Sequence, residues 1–115
     1  MADQTIVDEA VRLLLEIAPG SKVILFGSHA RGQPGQLSDL DFLVVEPKVS
    51  NPFEEMVRLR RILDPILRPN LISADVLVVS EEKYNRWKDL PNTVYSAATR
   101  EGKLYERACW IGPPQ

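Results

Sequence analysis

A short apolar run that stops at Gly27-Ser28, followed ten residues later by Asp39-Leu40-Asp41, constrains this chain more than any other feature. Lys22-Val23-Ile24-Leu25-Phe26 is apolar and rich in β-branched residues, which predicts a short buried strand ending where the glycine begins. Lacking a Cβ, Gly27 lets backbone come close to a ligand, and Ser28 adds a hydroxyl beside the N–H groups of the turn. Ser38 to Val45 predicts a second strand. Strand side chains alternate, so Asp39 and Asp41 fall on one face and Leu40 and Phe42 on the other. Two carboxylates that close repel each other unless a cation lies between them. An all-oxygen pair of this kind suits Mg2+, which is held by one or two carboxylates plus substrate phosphates.

A third acid extends the pattern. Ser73-Ala74-Asp75-Val76-Leu77-Val78-Val79 predicts another apolar strand with Asp75 near its start. If it pairs beside the Asp39/Asp41 strand, three carboxylates converge as in a two-metal phosphoryl or nucleotidyl transfer site. Taken singly, Asp39 also reads as a turn residue after Ser38, and Asp75 as the cap of a strand end, places that aspartate favours. Asp41, inside Asp-Phe-Leu-Val-Val, resists that explanation because strand interiors are depleted in Asp.

Gly27-Ser28-His29-Ala30-Arg31-Gly32, followed by Ser38-Asp39-Leu40-Asp41-Phe42-Leu43-Val44-Val45, resembles the nucleotidyltransferase superfamily of the DNA polymerase β type. It is most similar to the minimal members, the MNT-domain proteins. The resemblance implies an α/β (α+β) fold, a small mixed β-sheet with helices packed on it. Asp75 falls where the family's third carboxylate strand lies, and Arg100-Glu101-Gly102-Lys103-Leu104-Tyr105 resembles the segment that closes these small domains. The site then consists of Asp39, Asp41 and Asp75 as catalytic and metal-binding residues, with two Mg2+ ions expected. Gly27, Ser28 and Arg31 would join Asp39 and Asp41 in binding the nucleotide. Minimal members are typically encoded beside a HEPN-domain protein, as the antitoxin of a HEPN/MNT toxin–antitoxin pair. The resemblance implies that such antitoxins use ATP to attach AMP to a tyrosine of the toxin, a HEPN ribonuclease, with which a hetero-oligomer is expected.

Composition agrees with a small catalytic module. The 115 residues make one domain, 1–115, able to bury roughly two-thirds of the unfolded surface. Fourteen basic against sixteen acidic residues give a net charge of −2, so no general affinity for nucleic acid or anionic membrane is expected. No apolar run of about 18 residues could span a bilayer. Met1-Ala2-Asp3-Gln4 is polar and unlike a signal peptide, and the single Cys109 cannot form an internal disulfide. A cytoplasmic location is the expectation.

The elements read helix, strand, loop, strand, helix, strand, helix, helix. Ile6, Val7, Ala10, Val11, Leu14, Ile17 and Ala18 have helical spacing within Asp3 to Ala18, which Pro19-Gly20 ends. Asn51-Pro52-Phe53-Glu54 carries an N-cap, a first-turn proline and a capping glutamate. Met56, Leu59, Leu63 and Ile66 form the inner stripe of that helix, which Pro65 is expected to kink or end. Ser80 predicts the cap of a helix through Trp87. Asn92 to Arg107 predicts a last helix with Val94, Ala97, Ala98 and Leu104 inward, weakened by Gly102. The tail from Trp110 to Gln115 is expected to be extended or mobile, and Arg31 to Leu37 an exposed loop.

Other residues carry divided readings. Arg31 either clamps a triphosphate or supports a carboxylate structurally. His29, the one histidine, reads as a surface or packing residue more readily than as a base, and rules out a His-based metal site. Arg58, Arg60, Arg61 and Arg68 share a helix with Glu54, Glu55 and Asp64, which reads as a solvated face with local ion pairs or as a partner surface. Tyr84, Trp87, Tyr95, Tyr105 and Trp110 divide between core and interface. Nucleotidyl transfer of this kind needs no covalent enzyme intermediate. The competing functions are a non-catalytic antitoxin that neutralises its partner stoichiometrically, and a nucleotidyltransferase acting on RNA or a small molecule.

Overall fold

The computed structural model describes residues 4–26 and 39–106. The order is α1 (Gln4–Ile17), β1 (Lys22–Phe26), β2 (Asp39–Glu46), α2 (Pro52–Leu67), a 3-10 turn (Arg68–Asn70), β3 (Ser73–Ser80), α3 (Glu81–Trp87), α4 (Val94–Glu101) and β4 (Lys103–Glu106). The strands form one sheet in the order β3-β2-β1-β4. β1 runs antiparallel to β2 and β4, whereas β2 and β3 are parallel. A small mixed β-sheet with helices packed on it is the α+β arrangement expected from the sequence.

Alternation along the strands divides the core into two layers. Val23, Leu25, Leu40, Phe42, Val44 and Val76 face α1 and α2 and pack with Val7, Ala10, Val11, Leu14, Leu59 and Leu63. Ile24, Leu43, Val45 and Val79 face the other way and pack with Tyr84 of α3 and Ala98 of α4. α2 starts as its sequence predicts, with Asn51 Oδ1 accepting from Glu54 N–H at 3.1 Å. Ser80 likewise caps α3, accepting from Lys83 N–H at 3.2 Å. Gly20 takes a left-handed φ of 82° in the turn after α1. Among the described residues no helix is long and apolar enough to cross a membrane.

One expectation needs correction. Asn92 to Arg107 is not one helix: α4 ends at Glu101, and Lys103–Glu106 is a strand on β1. Gly102 marks the change. Its N–H donates to Ala98 O at 2.8 Å, and its backbone then turns extended. A Cβ there would meet Ala98 O and Ile24 Cγ2 at 2.6 Å and Leu25 O at 2.8 Å, so the chain crosses against β1 at a distance only glycine permits. Leu104, expected inward, is 54% exposed on the new strand, and Val94 is 37% exposed because α4 turns Ala98 inward instead.

Pro65 does not end α2 where it stands. The helix continues two more residues to Leu67, which is buried and packs into the core. Pro65 itself lies on the exposed side, where a missing N–H is least costly. Asn70 closes the following turn, its side-chain amide donating to Ile66 O at 2.8 Å.

Candidate active site

Asp41 lies in β2 with Phe26 as its partner across β1 and Asp75 as its partner across β3. Asp39 precedes it by two residues and pairs with Ser73. Leu40 and Phe42 are buried against α1 and α2, so Asp41 between them belongs to the opposite face, the one α3 and α4 cover further along. On β3 the same alternation puts Val76 into the first core and Val79 into the second, which assigns Asp75 to the face of Asp41. Asp75 is exposed and Asp41 half-buried. Both therefore stand at the end of the sheet where β1 finishes and β2 and β3 begin, beyond the part of the face that Tyr84 and Ala98 close.

This placement follows from ordinary packing forces. The four residues after Asp41 (Phe42, Leu43, Val44 and Val45) are almost wholly buried and pin β2 in register between its neighbours. A one-residue slip would send every one of those side chains to the wrong layer. The hydrophobic register thus holds two acids together that would otherwise repel.

Gly27, Ser28 and Arg31, with His29, lie outside the described residues. What the structure does show is where they attach. The chain leaves β1 at Phe26, the register partner of Asp41, and returns into β2 at Asp39. For Asp39 the backbone alone is described. Among the described residues no group of three or more His, Cys, Asp or Glu side chains could hold a metal ion. The pair Asp41 and Asp75 nonetheless offers oxygen donors on one face of adjacent strands. That chemistry fits Mg2+, which completes its shell with water and substrate phosphates.

A second group of acids escaped the sequence reading. Glu46, the last residue of β2, is buried and hydrogen-bonds to Glu55 in the first turns of α2. Burial, together with the bond to Glu55 and its charge, pushes the Glu46 carboxyl up to about 7, against a smaller opposing pull from Arg58. Glu55 is held below the usual carboxylate range, chiefly by Arg58, whose guanidinium donates to both its oxygens at 2.9 and 2.7 Å. Glu46 Oε2 is buried without a hydrogen-bond partner among the described residues, which a neutral carboxyl tolerates better than a charged one. Nothing in the local sequence signals this pair, since a glutamate at a strand end ordinarily faces water.

A sequence model of the nucleotidyltransferase domain matches residues 7–111. Among solved structures, one described as a minimal nucleotidyltransferase is similar with a TM-score of 0.56 and 29% identity, over 86% of this chain and 89% of the other. Another, described as a nucleotidyltransferase from Sulfolobus solfataricus, gives 0.51 and 30%, over 74% of this chain and 73% of its own. No curated protein is significantly similar to the chain.

Proposed function

The chain belongs to the nucleotidyltransferase domain family, and on that footing we propose an enzyme that uses ATP and Mg2+ to place AMP on a tyrosine hydroxyl of a partner protein. The partner in this proposal is a HEPN ribonuclease toxin, and the chain is its cytoplasmic antitoxin. The observation that supports it most is the pairing of Asp41 with Asp75, with Asp39 two residues upstream on the same strand. Similarity to a minimal nucleotidyltransferase over most of both chains supports the antitoxin role, because HEPN pairing is typical of minimal members.

Each residue has a part in the proposed reaction. Asp39 and Asp41 would hold one Mg2+ and Asp75 a second. When bound, such ions neutralise charge on the entering and leaving oxygens of phosphoryl transfer. Gly27 and Ser28 would receive the terminal phosphates through backbone N–H groups and the serine hydroxyl, and Arg31 would clamp the triphosphate, as the family resemblance implies. Asp75, exposed at the start of β3, orients the acceptor hydroxyl and helps remove its proton. The oxygen bonds to the α-phosphorus as pyrophosphate leaves. No side chain of this protein is covalently modified.

The test is whether neutralisation is catalytic. A small amount of this protein with ATP and Mg2+ should inactivate an excess of the HEPN partner, which should stay inactive after separation. Mass spectrometry should find one adenylyl group, or a multiple of it, on the partner. Inhibition that needs equimolar protein, needs no ATP and survives Asp75→Asn would establish a stoichiometric antitoxin instead.

A further inference from the structure

A cleft of about 590 Å3 opens between the C-terminal half of α2 and the start of β3. Arg60, Arg61 and Arg68 line it, with Leu67, Leu71 and Ile72 among its apolar walls. Asp64 also lines it but is paired to Arg68 at 3.0 Å. Arg60 and Arg61 make no ion pair with any described residue, although Arg58 on the same helix is tied to Glu55. In a chain of net charge −2, this is a local concentration of uncompensated positive charge.

Leu71 is the second unusual element. Its backbone is left-handed, φ 57° and ψ 41°, a region that favours glycine. Its side chain is 93% exposed. That backbone caps the 3-10 turn, the Leu71 N–H donating to Arg68 O at 3.0 Å, and it leaves an apolar side chain outside this chain's own core beside the arginines of the cleft.

We propose that this cleft docks an extended acidic segment of the acceptor protein, one that alternates carboxylates with apolar side chains. The proposal rests on the reading above that the acceptor is a protein. Carboxylates meet Arg60 and Arg61, and an apolar side chain covers Leu71. Leucines in the walls favour a polypeptide over a nucleic acid, and none of the lining residues is aromatic, so bases would have nothing to stack on. Ser73 and Ala74 line the cleft at the start of β3, an outer strand of the sheet with β2 on one side only. Asp75 follows Ala74 on the opposite face. A segment anchored at this edge therefore holds the rest of its protein beside the paired carboxylates.

Fluorescence anisotropy with a fluorescein-labelled peptide of alternating Glu and Leu tests this, with a Lys/Leu peptide and a single-stranded RNA oligonucleotide as comparisons. The acidic peptide should bind in a salt-sensitive way. Arg60→Glu/Arg61→Glu should weaken it roughly tenfold or more. Arg60→Gln/Arg61→Gln serves if circular dichroism shows the charge-reversed variant unfolded. Leu71→Gly should also lose affinity while its melting temperature stays level or rises, since glycine suits that backbone; a purely structural leucine would give the reverse. No acidic-peptide binding, equal binding by wild type and the arginine variants, or arginine-dependent preference for the RNA would overturn the proposal. AMP transfer from α-labelled ATP to the HEPN partner is read in parallel. Wild-type peptide binding without any transfer is a failure of the catalytic proposal alone, whereas transfer without peptide binding is a failure of the docking proposal alone.

Discussion

Asp41 and Asp75 are register partners across the parallel pairing of β2 and β3, with side chains assigned to the same face of the sheet. Neither acid adds to the apolar packing that holds these strands in register, which Phe42, Leu43, Val44 and Val45 supply. The placement of the two acids at the open end of an otherwise apolar face is what a cation and a phosphate ester would use.

Asp41→Asn and Asp75→Asn should therefore separate function from fold. AMP transfer should fall by about a hundredfold or more, the scale expected when a charge-stabilising group is lost from such a site. Melting temperature without metal should stay level or rise, since like-charge repulsion is relieved. Labelled AMP incorporation and a thermal melt on each variant check both halves. Unchanged incorporation in both would remove these residues from the site.

Ligand linkage gives an independent check. Under the proposed function Mg2+ and ATP bind the folded protein and not the unfolded chain, in which case a hundredfold excess over Kd should add about 2.7 kcal/mol to wild-type stability. The rise should disappear in Asp41→Asn and when the metal is removed with EDTA. Calorimetric melts with and without Mg2+ and ATP measure it.

Glu46 predicts an inverted pH dependence. Its carboxyl is pushed up to about 7 in the folded protein, against 4.5 for the unfolded chain, so the folded state binds the proton more tightly. The stabilisation is complete below the unfolded value and is lost as pH rises through about 7. Glu55, lowered chiefly by Arg58, acts in the opposite sense and loses its contribution as pH falls. Glu46→Gln keeps the shape and a donor for Glu55 but cannot ionise. It should match wild type near pH 5 and exceed it at pH 8 by about 1–3 kcal/mol. Urea titrations at the two pH values measure the difference.

Gly102→Ala tests the junction that makes β4. The new methyl would sit 2.6 Å from Ile24 Cγ2 and from Ala98 O, and backbone on both sides cannot easily retreat. Destabilisation of about 1–3 kcal/mol is expected. Amide exchange should show the loss concentrated in the β1–β4 pairing, while the β2–β3 pairing keeps its protection.

The elements with a clear period were legible in the residues themselves. α1 and α2 carry apolar stripes, β1, β2 and β3 carry apolar runs, and Asn51 and Ser80 are caps recognisable from side-chain chemistry alone. That Asp39 and Asp41 share a face also follows from the strand period. Local sequence could not tell that Lys103–Glu106 is a strand, because its residues find partners only at the free edge of β1, some eighty positions earlier in the chain. Nor could it show Glu46 buried against Glu55, or Leu71 held in water beside Arg60 and Arg61; both depend on where α2 comes to lie. Each residue's periodicity and capping are short-range properties written in neighbouring side chains. Which carboxylates meet, and which charges go without a partner, is settled only when strands far apart in sequence share hydrogen bonds across one sheet, as Asp41 and Asp75 do.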